Sequence, residues 1–491
     1  MNDPSALLGL VVLGPLALVL VTGVLPERWL PPVGLAGAAG TSAAALVLAA
    51  HVGRSGPVGH DLAGWGPPLG IVLRADGLSA LFLALTALVG AGVTVYAASD
   101  RAATGDHPRF WPLWFAVWAG LDAVYVAGDL FNTYVALEVV GLAAVGLVAL
   151  GGGPAWGPAL RYLFVAVLGS TLLLVAVALV YAQAGTLELL AAGERLASSG
   201  WDSRWAAVLV VVALGLKAAL VPMHAWLPPA HGSAPTAVSA VLSALVVKAA
   251  FFVLVRMWFW VLGPEPVLAV VLGLLGALAV LWGGVLALAQ RHLKQVVAYS
   301  TVAQMGYLFL LFPLTSAAAG DPEVLRAAWG GTAALVVGHG FAKASLFLSA
   351  GTLKSVYGTD SLSELARVVR PLPSVVMGMG VAAVTLAGLP PSLGFAGKWQ
   401  LVVASVGSGQ WGWAAVPIGG GLLSAAYLLK PLTVMLREPQ DRARPLPESR
   451  SASLRVRYAP LLLALVPLVL GLAGPALPDL ATTGGPPGGG P

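Results

Sequence analysis

One carboxylate and four amines stand where the surrounding residues are almost all apolar. Glu138, in Asn132-Thr-Tyr-Val-Ala-Leu-Glu-Val-Val-Gly, is the only one of nine glutamates deep in an apolar run. Four of the seven lysines are placed in the same way: Lys217 in Leu-Gly-Leu-Lys-Ala-Ala-Leu-Val-Pro, Lys248 in Ala-Leu-Val-Val-Lys-Ala-Ala-Phe-Phe, Lys343 in Gly-His-Gly-Phe-Ala-Lys-Ala-Ser, and Lys398 in Gly-Phe-Ala-Gly-Lys-Trp. Ionisable groups in hydrocarbon are costly, and they mark ion or proton pathways by default. Burial favours the neutral amine and a nearby carboxylate favours the charged one, so a lysine paired with Glu138 can load and release a proton as its partner moves. Arginine keeps its proton in any such setting, and none of the nineteen arginines is expected at mid-helix. The use of lysine points to proton transfer.

Each position also has a static reading, either a structural ion pair or a stem that carries the amine out to the interface. That route is open to Lys398, close to a helix break, and longer for Lys217 and Lys248. Interior prolines accompany two of the lysines: Pro222 follows Lys217, and Pro390 and Pro391 precede Lys398. Proline breaks the helical ladder, and the carbonyls it frees need water or protein partners, which points to a hydrated cavity. The opposite order of lysine and proline is what an inverted duplication produces. His339 and Lys343 are four apart and share a helix face, as the middle of a hydrophilic axis or as a histidine bonded to a neighbouring helix. His224 and His231 flank the break after Lys217, either passing protons to the surface or sitting as interfacial histidines. Asp76 and Asp129 each precede an apolar run and read as helix N-caps. Tryptophans such as Trp111, Trp114, Trp118 and Trp258 fit an interfacial belt.

The scaffold that positions these groups must be a membrane one. With 491 residues, 58% hydrophobic and 10% charged, and a mean hydropathy of +0.89, the chain is no set of soluble domains. Crossing roughly 30 Å of hydrocarbon takes about 20 residues per helix. Segments are predicted near 5–23, 33–51, 73–98, 110–127, 129–150, 160–184 and 205–226, then 235–260, 266–289, 295–313, 326–353, 373–405, 410–436 and 457–475, fourteen in all. They form one transmembrane domain over 1–475, and the Gly/Pro-rich tail 476–491 is expected to be disordered. No Lys or Arg precedes the first apolar run, unlike a secretory signal, so that run reads as a retained helix.

The absence of cysteine excludes disulfides and thiolate-held metals or clusters, and neither metal nor cofactor is expected. The net charge of +5 lies largely in loops, which suits lipid head groups and leaves no basic domain for nucleic acid. No loop is large enough for a catalytic domain, so no self-contained active site is expected. Lys and Arg concentrate in the odd-numbered connections, including Arg28, Arg101, Arg109, Arg291, Lys294, Lys354, Arg367 and Arg370, with six arginines from Arg437 to Arg457. Positive charge marks the cytoplasmic side, which places both termini outside the cytoplasm.

Several longer stretches carry a family likeness: Gly128-Asp-Leu-Phe-Asn-Thr-Tyr-Val-Ala-Leu-Glu138, Lys217-Ala-Ala-Leu-Val-Pro-Met-His-Ala-Trp-Leu-Pro228, Ala234-Pro-Thr-Ala-Val-Ser through Lys248, His292 through Tyr307, and Gly388 through Lys398. The chain from about Asp76 to Leu401 resembles the antiporter-like membrane subunits shared by Mrp-type sodium/proton antiporters and respiratory complex I. The resemblance implies an all-α polytopic fold of two inverted five-helix repeats, here 110–260 and 266–436, with helices 7 and 12 broken. It also implies a proton path through Glu138, Lys217, Lys248 and Lys398. Lys398 and Ala303-Gln-Met-Gly-Tyr307 look like the D-type subunit of Mrp antiporters, whereas Ala234-Pro-Thr-Ala-Val-Ser239 is similar to complex I and membrane-hydrogenase relatives.

The expected function is therefore proton translocation within a multisubunit complex of the bacterial inner membrane. The reading is of an Mrp cation/proton antiporter, with NADH-quinone oxidoreductase or a hydrogenase as the alternative. Expected partners are other membrane subunits, protons, sodium and the bilayer. A solute transporter would gather its polar groups at one pocket, a haem enzyme would pair histidines on facing helices, and a structural subunit would not keep four costly lysines. Glu138 is expected to be the sole buried carboxylate, so the sequence gives no sodium site.

Overall fold

The computed structural model of the chain describes residues 5–66, 70–318, 320–365, 371–437, 452–473, 480 and 483–485. Among these, eleven helices are long and apolar enough to cross a bilayer: Ser5–Val24, Glu27–Ser55, Gly77–Ala97, Leu130–Ala149, Gly153–Ala184, Thr236–Leu262, Pro266–Ala289, Leu293–Ala317, Pro322–Tyr357, Trp411–Leu436 and Leu454–Leu472. The other three expected segments fall on shorter pieces. Segment 110–127 is the helix Phe110–Val126, 205–226 is Arg204–Lys217 followed by a break, and 373–405 is split into Pro373–Ala387 and Leu393–Gly407.

The helices sort into a wall and a centre. Ser5–Val24, Trp411–Leu436 and Leu454–Leu472 bury a third or less of their apolar windows, while Thr236–Leu262 and Pro322–Tyr357 are wholly buried and Leu293–Ala317 nearly so. A helix apolar all round fits either place; the central ones differ in carrying Lys248, His339 and Lys343. Small residues let backbones touch, the usual basis of helix association in lipid. A Cβ on Gly276 would lie 2.6 Å from the Gly306 carbonyl oxygen, and one on Gly306 would lie 2.3 Å from that of Gly276.

Helix starts follow the acidic residues that precede them. Asp76 accepts from Ser79 N at 3.1 Å and Asp129 from Asn132 N at 2.7 Å, as N-caps do. A short antiparallel hairpin, Val58–Asp61 with Val72–Ala75, covers one end of the bundle. The amphipathic helix Leu189–Ser199, read in the sequence as loop, lies against the end of Thr236–Leu262, where a Cβ on Gly193 would sit 2.0 Å from the Trp260 carbonyl oxygen.

Three expectations change. Trp111, Trp114, Trp118 and Trp258 form no interfacial belt: all are buried, and the Trp114 indole donates to Thr94 Oγ1 at 2.9 Å. Position near a helix end does not reveal which face the ring takes, and the faces used here point inward. The exposed tryptophans are others, among them Trp29, Trp156, Trp205 and Trp411. The expected disordered tail falls mostly outside the described residues, and its described part packs on the bundle, with Gly77 N donating to Thr483 O at 2.9 Å.

The third change concerns arginine. Arg256 lies within the buried Thr236–Leu262 helix, where both guanidinium arms meet Asp76 at 2.5 Å and one reaches Ser79 Oγ at 3.0 Å. Trp260 and Phe252 flank the cation, with ring centroids 4.5 and 5.0 Å away. Asp76 is thus a cap and one half of a buried ion pair joining two helices. Removing one partner of such a pair costs about 3–5 kcal/mol, while replacing both with apolar groups is often neutral. Arg256→Ala is expected to lower the melting temperature of the detergent-purified protein sharply, and Asp76→Leu combined with Arg256→Met to recover most of it; an Arg256→Ala protein as stable as the parent would refute the role.

Candidate functional site

The first break places a lysine at a helix end inside the protein. Helix Arg204–Lys217 stops as Ala219 turns to a φ of 55° and Leu220 N bonds back to Gly215 O at 2.9 Å. The chain resumes helical form at Leu227–Ser233. Of the carbonyls freed by the stop, that of Leu216 receives the Trp226 indole at 2.9 Å, and Tyr162 stacks on this ring at 4.1 Å. Lys217 reaches across a surface of small residues: a Cβ on Gly169 would lie 3.3 Å from its Cγ and one on Gly141 3.9 Å from its Nζ. Its Nζ donates to Glu138 Oε1 at 3.4 Å, with 8% of the lysine side chain and 24% of the glutamate side chain exposed.

Lys248 is held differently. The Leu242–Val246 stretch preceding it is π-helical, a wider turn that re-aims carbonyls. Lys248 Nζ donates to Ser243 O at 3.2 Å and Ala244 O at 2.6 Å. Ser243 Oγ in turn meets Thr301 Oγ1 at 2.8 Å, tying this helix to Leu293–Leu308. A cavity of about 20 Å³ touches Lys217, Tyr162, Val246 and Ala250, on the face of the Thr236–Leu262 helix away from Lys248. That is room for a single water.

On the long helix Pro322–Tyr357, Lys343 donates to Val297 O at 2.9 Å and to Ser300 Oγ. His339, one turn earlier, is buried with neither ring nitrogen bonded, and it lies within electrostatic reach of both Lys248 and Lys343. The second break holds the last lysine. Helix Pro373–Ala387 ends at Gly388, whose φ of 80° is one that side chains rarely adopt. Lys398 Nζ, from helix Leu393–Gly407, donates to Leu386 O at 2.8 Å and Ala387 O at 3.1 Å. It also sits 4.5 Å from the Tyr307 ring centroid. Lys398 is 6% exposed, so its amine turns inward to freed carbonyls and does not run out to water.

The structure thus brings Lys248, His339 and Lys343 together and pairs Glu138 with Lys217, with Lys398 at the second break. His224 lies part-exposed in the first break, whereas His231 is fully buried, stacked on Phe347 at 4.8 Å, and within reach of Lys294 and Lys343. Lys294, read in the sequence as a loop charge, is buried and donates to Ala234 O. It also lines a cavity of about 490 Å³ together with Asp100, Pro235, Thr236, Lys354 and Tyr357. Gln304, which entered the sequence analysis only within Ala303-Gln-Met-Gly-Tyr307, joins Leu386 O, Ser424 and Tyr427 near Lys398 through contacts of 3.0, 3.0 and 3.1 Å.

Glu138 is not the sole buried carboxylate. Asp122, in Trp118-Ala-Gly-Leu-Asp-Ala-Val-Tyr, is fully buried; the rule that nominated Glu138, a charge within an apolar run, would have found it. Among the described residues no group of three or more His, Cys, Asp and Glu could hold a metal ion.

Comparison with known proteins gives one family. Residues 127–424 match the family described as NADH:quinone oxidoreductase/Mrp antiporter, transmembrane. The chain is 34% identical to the N-type subunit of NADH-quinone oxidoreductase from Desulforudis audaxviator, over 82% of this chain and 81% of that one. It is 29% identical to the D-type subunit of the Na(+)/H(+) antiporter from Alkalihalophilus pseudofirmus, over 78% and 77%. A chain of the solved Mrp complex from a Dietzia species superposes with a TM-score of 0.87 at 29% identity, covering 98% of this chain and 97% of that one.

Gly388 is required twice, by its φ of 80° and because a Cβ there would lie 2.6 Å from Lys398 Cδ. Gly388→Ala is expected to destabilise the protein by more than about 1 kcal/mol, seen as a lower melting temperature in detergent. The companion Gly412→Ala, where a Cβ meets nothing within 4 Å, should leave it unchanged; equal melting of the two variants would contradict the assignment.

Proposed function

Because the chain belongs to the NADH:quinone oxidoreductase/Mrp antiporter transmembrane family, we propose that it is the proton-translocating subunit of a multisubunit membrane complex, of the Mrp cation/proton antiporter kind. The observation that carries this reading is the Glu138–Lys217 pair, 3.4 Å apart at the end of a broken helix. A carboxylate at that distance keeps the amine protonated, and withdrawing it lets the buried amine give up its proton. The relay then runs by ordered water from Lys217 to Lys248, to His339 or Lys343, and to Lys398. The small cavity against Lys217 supports the entry of a water at the first amine.

His224 is assigned to exchange with the surface from the first break, and His231 to exchange between Lys343 and the wide cavity at Lys294. The halves 110–260 and 266–436 act as inverted repeats, each contributing one broken helix with its lysine. Moving a charge across 100 mV takes about 2.3 kcal/mol, so a partner process must be linked to the relay. In an Mrp antiporter that process is sodium movement. The setting is the bacterial inner membrane, with both termini outside the cytoplasm by the distribution of Lys and Arg.

A second reading is favoured by the 34% identity to an N-type oxidoreductase subunit against 29% to a D-type antiporter subunit. In it the relay is linked to NADH:quinone oxidoreduction by neighbouring subunits. Proton flux in inverted vesicles carrying the whole gene cluster separates the two. Glu138→Ala and Lys217→Ala are each expected to lower flux at least about tenfold, and Lys217→Arg equally, since arginine does not release its proton. Sodium-dependent flux supports the antiporter; flux that needs an electron donor and ignores sodium moves the chain to a respiratory complex. Flux untouched by either alanine would sink the pathway.

A further inference from the structure

Outside the lysine row, the most anomalous polar group lies on the Phe110–Val126 helix. Asp122 is fully buried, and neither of its carboxyl oxygens has a hydrogen-bond partner. Two neighbouring buried groups are also unmet: the indole N–H of Trp118, one turn before it and beside its carboxyl, and the hydroxyl of Thr86 on the facing Gly77–Ala97 helix. Tyr125, one turn after, lies close to both Asp122 and Thr86. Three unmet polar groups and a phenol therefore converge within the fold.

Among the described residues no cation is paired with the carboxyl. On the packed elements the ionisable groups are Tyr96 on Gly77–Ala97, Tyr134 and Glu138 on Leu130–Ala149, Lys248 and Arg256 on Thr236–Leu262, His51 and Arg54 towards the end of Leu30–Ser55, and Arg74 on the strand Val72–Ala75, which lies on the Asp76 side; Ser5–Val24 has none. Arg256 is committed to Asp76 and Glu138 to Lys217. Lys248 turns to its own carbonyls. Where this helix meets that of Lys248, Tyr125 packs with Phe82 and Phe252, the ring centroids 5.1–5.2 Å apart.

We propose that Asp122 is a second intramembrane proton-binding site, holding a neutral carboxylic acid in this conformation and losing its proton when a base reaches it during turnover. An isolated carboxylate in such surroundings costs far more than taking up a proton. As an acid, its carbonyl oxygen can accept from the Trp118 indole while its O–H turns toward the Tyr125 hydroxyl, which in turn lies beside Thr86. On release the proton passes to an admitted water. The carboxylate left behind then accepts from the same indole and hydroxyls. The site lies off the lysine axis and rests on the proton-translocation reading only for its part in turnover.

Infrared difference spectroscopy of the purified complex tests this. The wild type should show the carbonyl stretch of a neutral carboxylic acid at neutral pH, well above the usual aspartate pKa of about 4. Asp122→Asn should abolish that band and Asp122→Glu should move it. Asp122→Asn should also lower proton flux about fivefold or more, whereas a merely structural polar group would be replaced by the isosteric amide without loss. An unchanged band in Asp122→Asn, wild-type flux in that variant, or a band lost on adding sodium at fixed pH would each overturn the proposal, the last in favour of a cation site. If Asp122→Asn does not assemble, Asp122→Glu decides: a moved band supports the site and an unmoved one refutes it. The band does not depend on flux, so a wild type with the band but no proton movement would fail only the functional reading above.

Discussion

Backbone carbonyls that accept from buried amines are what the interior of this protein is built around. Amines in hydrocarbon need partners, and four of the five buried lysines find them in main-chain oxygens. Lys248 uses carbonyls of its own π-helical turn, Lys398 those at the end of Pro373–Ala387, Lys343 that of Val297, and Lys294 that of Ala234. A regular helix spends its carbonyls on itself. At Lys398 the break and at Lys248 the wide turn are the means of seating an amine without a fixed counter-charge, while Lys343 shares the Val297 carbonyl within Leu293–Leu308. A neutral dipole holds an amine in either protonation state, as a carboxylate at close range does not.

Lys217 is the exception. It alone among the buried lysines described has a carboxylate partner, carried by a helix, Leu130–Ala149, whose outer face is open. The ion pair is the place where charge state and position are coupled. Lys248, His339 and Lys343 are instead carried by helices whose apolar windows are wholly buried. Stiffness there comes from separate devices. The Asp76–Arg256 clamp ties two central elements, and the Gly276–Gly306 approach removes any space between two more.

Much of this was legible in the sequence because lipid makes polarity expensive. Glu138, Lys217, Lys248, Lys343 and Lys398 are conspicuous among apolar neighbours, and Pro222 with Pro390 and Pro391 announced where the helices part. The reading stopped short where polarity met an edge. Lys294 follows Arg291 and His292 and so resembled one more loop charge; Arg256 precedes a run of aromatic residues near a helix end. Asp122 obeys the same rule as Glu138 and was within reach. The π-helical turn before Lys248, the inward faces of Trp114 and Trp118, and the contacts of Gln304 have no counterpart in hydropathy, because they depend on which helix stands opposite.

Glu138 keeps about a quarter of its side chain uncovered, amid the open residues Phe131, Val135 and Leu142 of the same helix. The attraction between two charges at fixed separation scales inversely with local permittivity, and for a group at the rim that permittivity belongs to the surroundings. The strength of the pair is therefore set from outside: lipid tails, protein or trapped water against this flank each give a different strength to the same 3.4 Å pair. One amino-acid sequence can in this way hold its ion pair more or less tightly according to its company, with no residue altered.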